Sequence, residues 1–194
     1  CVLGAQMAAA FLFSVGKNVF GTYMLLGCAM YLFQDNLIYA GSNMPSYTPK
    51  ELPGDLNIIW MSREVKEDGN EGTSELKFRV VEGKPLETIK GVAVFFGGNG
   101  EGLQSLLYRC RQFSEYGMLT YAPEPPGYGL SPGPMGVTHS LQVAEIVAKH
   151  AAEEAARLKL ELYVVGSSLG TFSATYLGSF VSFETLVAFF WLVG

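Results

Sequence analysis

Apolar positions along this chain follow three regimes, and each predicts a different kind of element. Between Phe11 and Phe33 they are nearly continuous, broken mainly by Lys17 and Asn18. A run of that length is close to the ~20 residues that cross a hydrocarbon core, so the pattern predicts a transmembrane helix. A buried core helix is the alternative; a signal peptide is disfavoured because no small-residue cleavage site follows the apolar core. Lys17 on the N-terminal side and Asp35 just past the run orient such a helix with its N-terminus cytoplasmic and the remainder lumenal or external. Pro, Ser and Gly then cluster from Ala40 to Gly54, which is a boundary signal. The chain is thereby divided into an N-terminal anchor, 1–39, a linker, 40–55, and a domain, 56–194.

In the second regime, Leu56 to Val65 and Leu76 to Val81 are rich in β-branched and aromatic residues and flank the charged, turn-forming stretch Glu67 to Ser74. That arrangement predicts an antiparallel hairpin. The third regime alternates. Gly91 to Phe96 is a short continuous apolar run, as expected of a strand covered on both faces of a parallel sheet. Ser105 to Tyr116 suits a helix, Met118 to Ala122 a strand, Ser140 to Leu158 a long Ala- and Glu-rich helix, Leu160 to Val165 a strand and Leu169 to Gly178 a helix. Thr185 to Val193 reads as the next buried strand. The expected fold class is α/β, a mostly parallel sheet with an N-terminal antiparallel hairpin, preceded by the transmembrane helix.

Composition narrows the function. Among 194 residues, 13 are basic and 18 acidic, for a net charge of -5, and the basic residues form no run. Phosphate binding needs clustered Lys and Arg, so no nucleic-acid partner is expected. Cys1, Cys28 and Cys110 form neither a CxxC pair nor an even framework, and only His139 and His150 could join them, so no metal and no organic cofactor is expected. Opening on Cys1 rather than Met suggests a trimmed or incomplete front.

The candidate chemistry lies in Gly166-Ser167-Ser168-Leu169-Gly170, a match to G-x-S-x-G. It stands between an apolar strand and a good helix, the setting of a nucleophile elbow. Gly166 and Gly170 permit the tight turn, Ser168 projects above the sheet, and the helix N-terminus favours developing negative charge. A second match, Gly129 to Gly133, centres on Ser131 but lies among prolines; Pro132 and Pro134 oppose a helix immediately after it. Ser168 is therefore the candidate nucleophile. The loop Gly97-Gly98-Asn99-Gly100-Glu101-Gly102 follows the first central strand. It can bring backbone N–H groups to a tetrahedral oxyanion, with the N–H of Leu169 as the second donor. A dinucleotide-binding turn fits poorly, because Leu103 stands where that pattern requires Gly or Ala.

The elbow, the Gly-Gly-Asn-Gly loop, Gly127 to Gly133 after the next strand, and Phe33 to Tyr39 beyond the N-terminal helix occur in one order. Together they resemble the membrane-anchored α/β-hydrolase-domain proteins, related to serine aminopeptidase-like hydrolases and acyl-protein thioesterases, from about Phe11 to Gly178. The resemblance implies an α/β-hydrolase fold, Ser168 as the catalytic serine and an oxyanion donor at Asn99. The family usually has His-Gly where this chain has Gly97-Gly98.

In that fold the acid and then the histidine come after the serine along the chain. Here both histidines precede Ser168, and Glu184 is the sole carboxylate after it. His139 and His150 are therefore expected on the surface or in helix packing, and Glu184 falls too early for the usual acid. The expectation is a C-terminally truncated serine hydrolase, nearly inactive by itself, that acts on an ester, thioester or amide. Its substrates would be small molecules, lipids or acylated proteins, and its location a membrane. The rival expectation is a non-catalytic membrane protein using the same fold for binding or scaffolding.

Overall fold

The computed structural model describes residues 2–38, 51–66, 73–180 and 186–191. The chain divides into two units, Cys1–Ile38 and Tyr39–Gly194. The first holds a helix, α1 (Val2–Ile38), which extends past both ends of the predicted span. Among the described residues no helix is long and apolar enough to cross a membrane. The expected transmembrane helix is thus not supported. Its apolar run is diluted by Lys17 and Asn18 and by the weakly apolar Gly16, Gly21, Thr22 and Gly27. Most of the linker, residues 40–50, lies outside the described residues.

The second unit carries β1 (Leu56–Lys66), β2 (Thr73–Gly83), β3 (Gly91–Phe96), α2 (Leu103–Glu115), β4 (Met118–Pro123), α3 (Val137–Leu158), β5 (Leu162–Ser167), α4 (Gly170–Phe180) and β6 (Leu186–Trp191). The strands form one sheet in the order β1-β2-β4-β3-β5-β6. The predicted hairpin is present: β1 and β2 pair antiparallel from Leu56↔Gly83 to Lys66↔Thr73. β2 joins β4 antiparallel, and β4, β3, β5 and β6 run parallel. This is the architecture the alternating pattern predicts, a parallel sheet with an antiparallel edge.

Successive strand residues face opposite sides, so the continuous apolar run of β3 feeds two cores. Val92, Val94 and Phe96 join Phe78, Val80, Tyr121 and Val164 beneath α3 and α4. Phe95 joins Val81, Ala122 and Val165 beneath Leu103, Leu106, Leu107 and Cys110 of α2. α3 buries Val143, Ala144, Val147, Ala148, Ala151 and Ala155, a one-sided stripe at helical spacing. Its small alanines let the helix approach the sheet closely. It ends at Lys159 in the left-handed region, φ 58°, a conformation that caps helices by satisfying their last carbonyls.

The connections decide where a site can form. From β3 the chain passes through α2 to β4 on one side of β3, and then through α3 to β5 on the other. The direction of winding reverses around β3, and in open α/β sheets ligands bind beyond the carboxyl ends of strands at such a reversal. β3 and β5 are neighbours in register, Phe96↔Gly166. The loops that leave their ends therefore emerge side by side.

Candidate active site

β5 ends at Ser167 and α4 begins at Gly170, leaving two residues to reverse direction. Ser168 takes the strain of that turn with φ 49°, a region that costs a non-glycine residue roughly 1–2 kcal/mol. Its carbonyl receives the Thr171 N–H at 3.0 Å and the Thr171 hydroxyl at 2.6 Å, and the Leu169 carbonyl receives the Phe172 N–H at 3.1 Å. The turn thus starts the helix at once, leaving the Ser168 side chain exposed. The two glycines are steric requirements. A Cβ on Gly170 would collide with the Phe96 carbonyl oxygen and lie 2.6 Å from that of Gly97; one on Gly166 would lie 2.6 Å from the Gly170 oxygen. Gly166 and Gly170 let the elbow nest against the end of β3.

The loop after β3 meets this turn directly. A Cβ on Gly98 would stand 3.1 Å from the Ser168 Cβ and 3.2 Å from the Ser167 oxygen. The Gly98 N–H is committed, donating to Glu101 Oε2 at 2.6 Å, while Glu101 also pairs with Arg109 Nε at 3.5 Å. Among the described residues, no hydrogen bond engages the backbone N–H of Asn99 or of Leu169. Two donor groups are thus unspent: the Leu169 N–H, next to the serine at the N-terminal end of α4, where the helix dipole adds partial positive charge, and the Asn99 N–H, in the loop whose Gly98 packs on Ser168.

A cavity of about 50 Å³ adjoins these residues. Phe96, Pro123, Val143, Leu169 and Phe172 give it an apolar lining, and Gly98 and Tyr128 form part of its wall.

The other G-x-S-x-G match is built differently. Ser131 is buried, and its hydroxyl donates to Glu124 Oε2 at 3.0 Å while accepting the Arg79 N–H at 2.9 Å. Arg79 forks onto Glu124, Nε to Oε2 and Nη2 to Oε1, each at 2.8 Å, with the two residues 2% and 1% exposed. This buried ion pair, and the bond from the Tyr128 hydroxyl to Asn99 Oδ1 at 3.1 Å, were not anticipated from sequence. The signal was thin: an Arg in an alternating strand and a Glu between two prolines carry no spacing that pairs them.

The histidines stand apart from the elbow's contacts. His150 packs edge-on against Tyr121, centroids 4.8 Å apart, and His139 borders a separate cavity with Leu76, Lys77 and Pro132. Glu184 lies outside the described residues. Cys110 is wholly buried, and burial pushes its thiol pKa far up, so it is not an accessible nucleophile. Among the described residues no group of His, Cys, Asp and Glu could hold a metal ion.

Comparison with protein-family models gives no match, and neither does comparison with curated proteins. Solved structures do match in fold. A thermostable carboxyl esterase from Bacillus coagulans, in complex with glycerol, aligns at TM-score 0.50 and 16% identity over 66% of this chain and 43% of its own. A soluble variant of monoglyceride lipase from Saccharomyces cerevisiae gives 0.45 and 16%, over 61% and 38%. Aspergillus niger epoxide hydrolase gives 0.48 and 17%, over 70% and 34%. The chain spans less than half the length of each. The likeness to the esterase agrees with the strand order in showing an α/β-hydrolase fold.

Proposed function

We propose that this chain carries the nucleophile and oxyanion hole of a serine hydrolase acting on an ester, thioester or amide. One observation carries the reading. An exposed serine is held at positive φ in a strand-to-helix turn, directly against a glycine loop that leaves a second N–H unspent. Natural chains keep such strain where the geometry serves a purpose, and a nucleophile elbow is the purpose this arrangement fits.

In this reading Ser168 Oγ attacks the carbonyl carbon as its proton passes to a general base. The Asn99 and Leu169 N–H groups hold the resulting oxyanion, each such donor contributing about 10²–10³ in rate. Collapse of the intermediate expels the alcohol, thiol or amine, which takes the proton back. Water then releases the acyl group by the same steps. His139 and His150 do not serve as the base, so the base and its acid partner come from outside this sequence, and the 194-residue chain alone is expected to turn over little substrate.

The apolar cavity beside Leu169 suits the hydrocarbon part of a small ester, a lipid or an acylated protein. Placement at a membrane belongs to the same reading, supported by the exposed apolar side chains Val19, Phe20, Leu25 and Leu26 of α1. Release of the protein from membranes by a carbonate wash would overturn a tight attachment. The catalytic proposal is tested by exposing the complete gene product to a fluorophosphonate probe. Labelling is expected, and Ser168→Ala should abolish it while the melting temperature stays put. An unlabelled but folded wild-type protein would leave a binding or scaffolding role instead.

A further inference from the structure

We propose that Tyr128 is a positioning residue for the oxyanion donor Asn99; this rests on the serine-hydrolase reading of the same site. The ring of Tyr128 is 1% exposed, so packing confines it and leaves its hydroxyl little freedom. That hydroxyl donates to Asn99 Oδ1 at 3.1 Å. Asn99 is itself exposed and sits in a loop with glycines on both sides, which gives the backbone no intrinsic preference for one conformation. Gly98 N–H to Glu101 Oε2, Glu101 N–H to the Gly98 oxygen and Gly102 N–H to the Gly100 oxygen are bonds the loop makes to itself. They shape the loop without fixing it to the elbow. Tyr128 ties it to a different part of the fold.

What holds Tyr128 is the buried cluster beneath it. Its N–H donates to the Pro125 oxygen at 3.1 Å, its carbonyl accepts the Ser131 N–H at 2.9 Å, and the Ser131 oxygen accepts the Gly127 N–H at 2.9 Å. Ser131 is anchored in turn to Glu124 and Arg79. A Cβ on Gly129, φ 53°, would overlap Glu124 Oε1 and come within 2.8 Å of Arg79 Nη2, so this turn is wrapped tightly around the ion pair. A line of direct contacts thus runs from Arg79 on β2 to Asn99, which follows the Gly98 that packs on Ser168. Placing a donor well is worth most when charge develops in the transition state, so Tyr128 should affect kcat rather than KM.

The experiment uses the complete gene product with a p-nitrophenyl ester of a short acyl chain. Tyr128→Phe keeps the ring and removes the hydroxyl; kcat should fall about tenfold, the worth of one well-placed hydrogen bond, with KM within about twofold. Asn99→Ala removes the same bond from the exposed side while keeping the backbone N–H, and should lower kcat equally. The double variant should fall no further than either single one, because both act through one contact. An unchanged kcat in Tyr128→Phe, or a double variant losing the product of the single losses, overturns the role of Tyr128 while fluorophosphonate labelling of the wild type leaves Ser168 standing. If Tyr128→Phe does not fold, Asn99→Ala decides alone: a lower kcat at unchanged KM supports the role and an unchanged kcat overturns it. A folded wild type that neither labels nor cleaves the ester removes both readings.

Discussion

Two stretches of this molecule spell the same pattern, G-x-S-x-G, and use it in opposite ways. Around Ser168 the glycines let a strand become a helix within two residues, and the serine is left exposed at φ 49°. Around Ser131 the glycines wrap a loop over a buried ion pair, and the hydroxyl is consumed by Glu124 and by the Arg79 N–H. The difference lies in the residues on the C-terminal side of each serine. Leu169 to Phe180 can continue as a helix, whereas Pro132 and Pro134 cannot. In the serine-hydrolase reading, the flanking strand and helix are what suit the Ser168 motif to chemistry, whereas the Ser131 motif, without them, clamps a loop.

That contrast can be broken most severely at the ion pair. Glu124→Ala leaves Arg79 buried without its counter-charge, and urea denaturation should show a loss of about 3–5 kcal/mol. Replacing both partners, Arg79→Met with Glu124→Leu, should recover most of it, since a buried pair offsets its own desolvation only partly. A loss below about 1 kcal/mol for Glu124→Ala would mean that the loop is held by packing instead. Next in size, Ser131→Ala should cost about 1–3 kcal/mol by leaving buried polar groups short of a partner, yet retain fluorophosphonate labelling. Lost labelling in a folded Ser131→Ala protein would contradict the division of roles. The smallest effect is expected at the elbow. Ser168→Gly relieves the positive φ, and its unfolding midpoint should rise by the equivalent of about 1 kcal/mol or less, because glycine's greater unfolded-state freedom offsets part of the gain. A destabilised Ser168→Gly would show that the strain at this turn is smaller than the entropic cost of glycine.

Much of the second unit was legible from pattern alone. Each predicted strand and helix between Leu56 and Trp191 is present, with ends displaced by a few residues. The strand-to-helix turn at Ser168 was legible for the same reason, since a G-x-S-x-G motif between an apolar run and a helical stretch involves only neighbours in sequence. The N-terminal run is legible as a helix, but its expected passage through a membrane is not supported. Phe11 to Phe33 is helical, and among the described residues no helix is long and apolar enough to cross a membrane.

The amino-acid sequence by itself determined the order of elements, the parallel character of the central strands and the serine at the strand-to-helix turn. These follow from local periodicity and from backbone restrictions at Gly and Pro, which act over a few residues. Tertiary structure alone decided that Phe96 and Gly166 lie side by side, that Asn99 leans on Tyr128, and that Arg79 meets Glu124 across 45 residues of chain. Such contacts depend on strand order and on which groups are driven together out of water. No local pattern encodes that, because a buried charge finds its partner only when the whole sheet has closed around both.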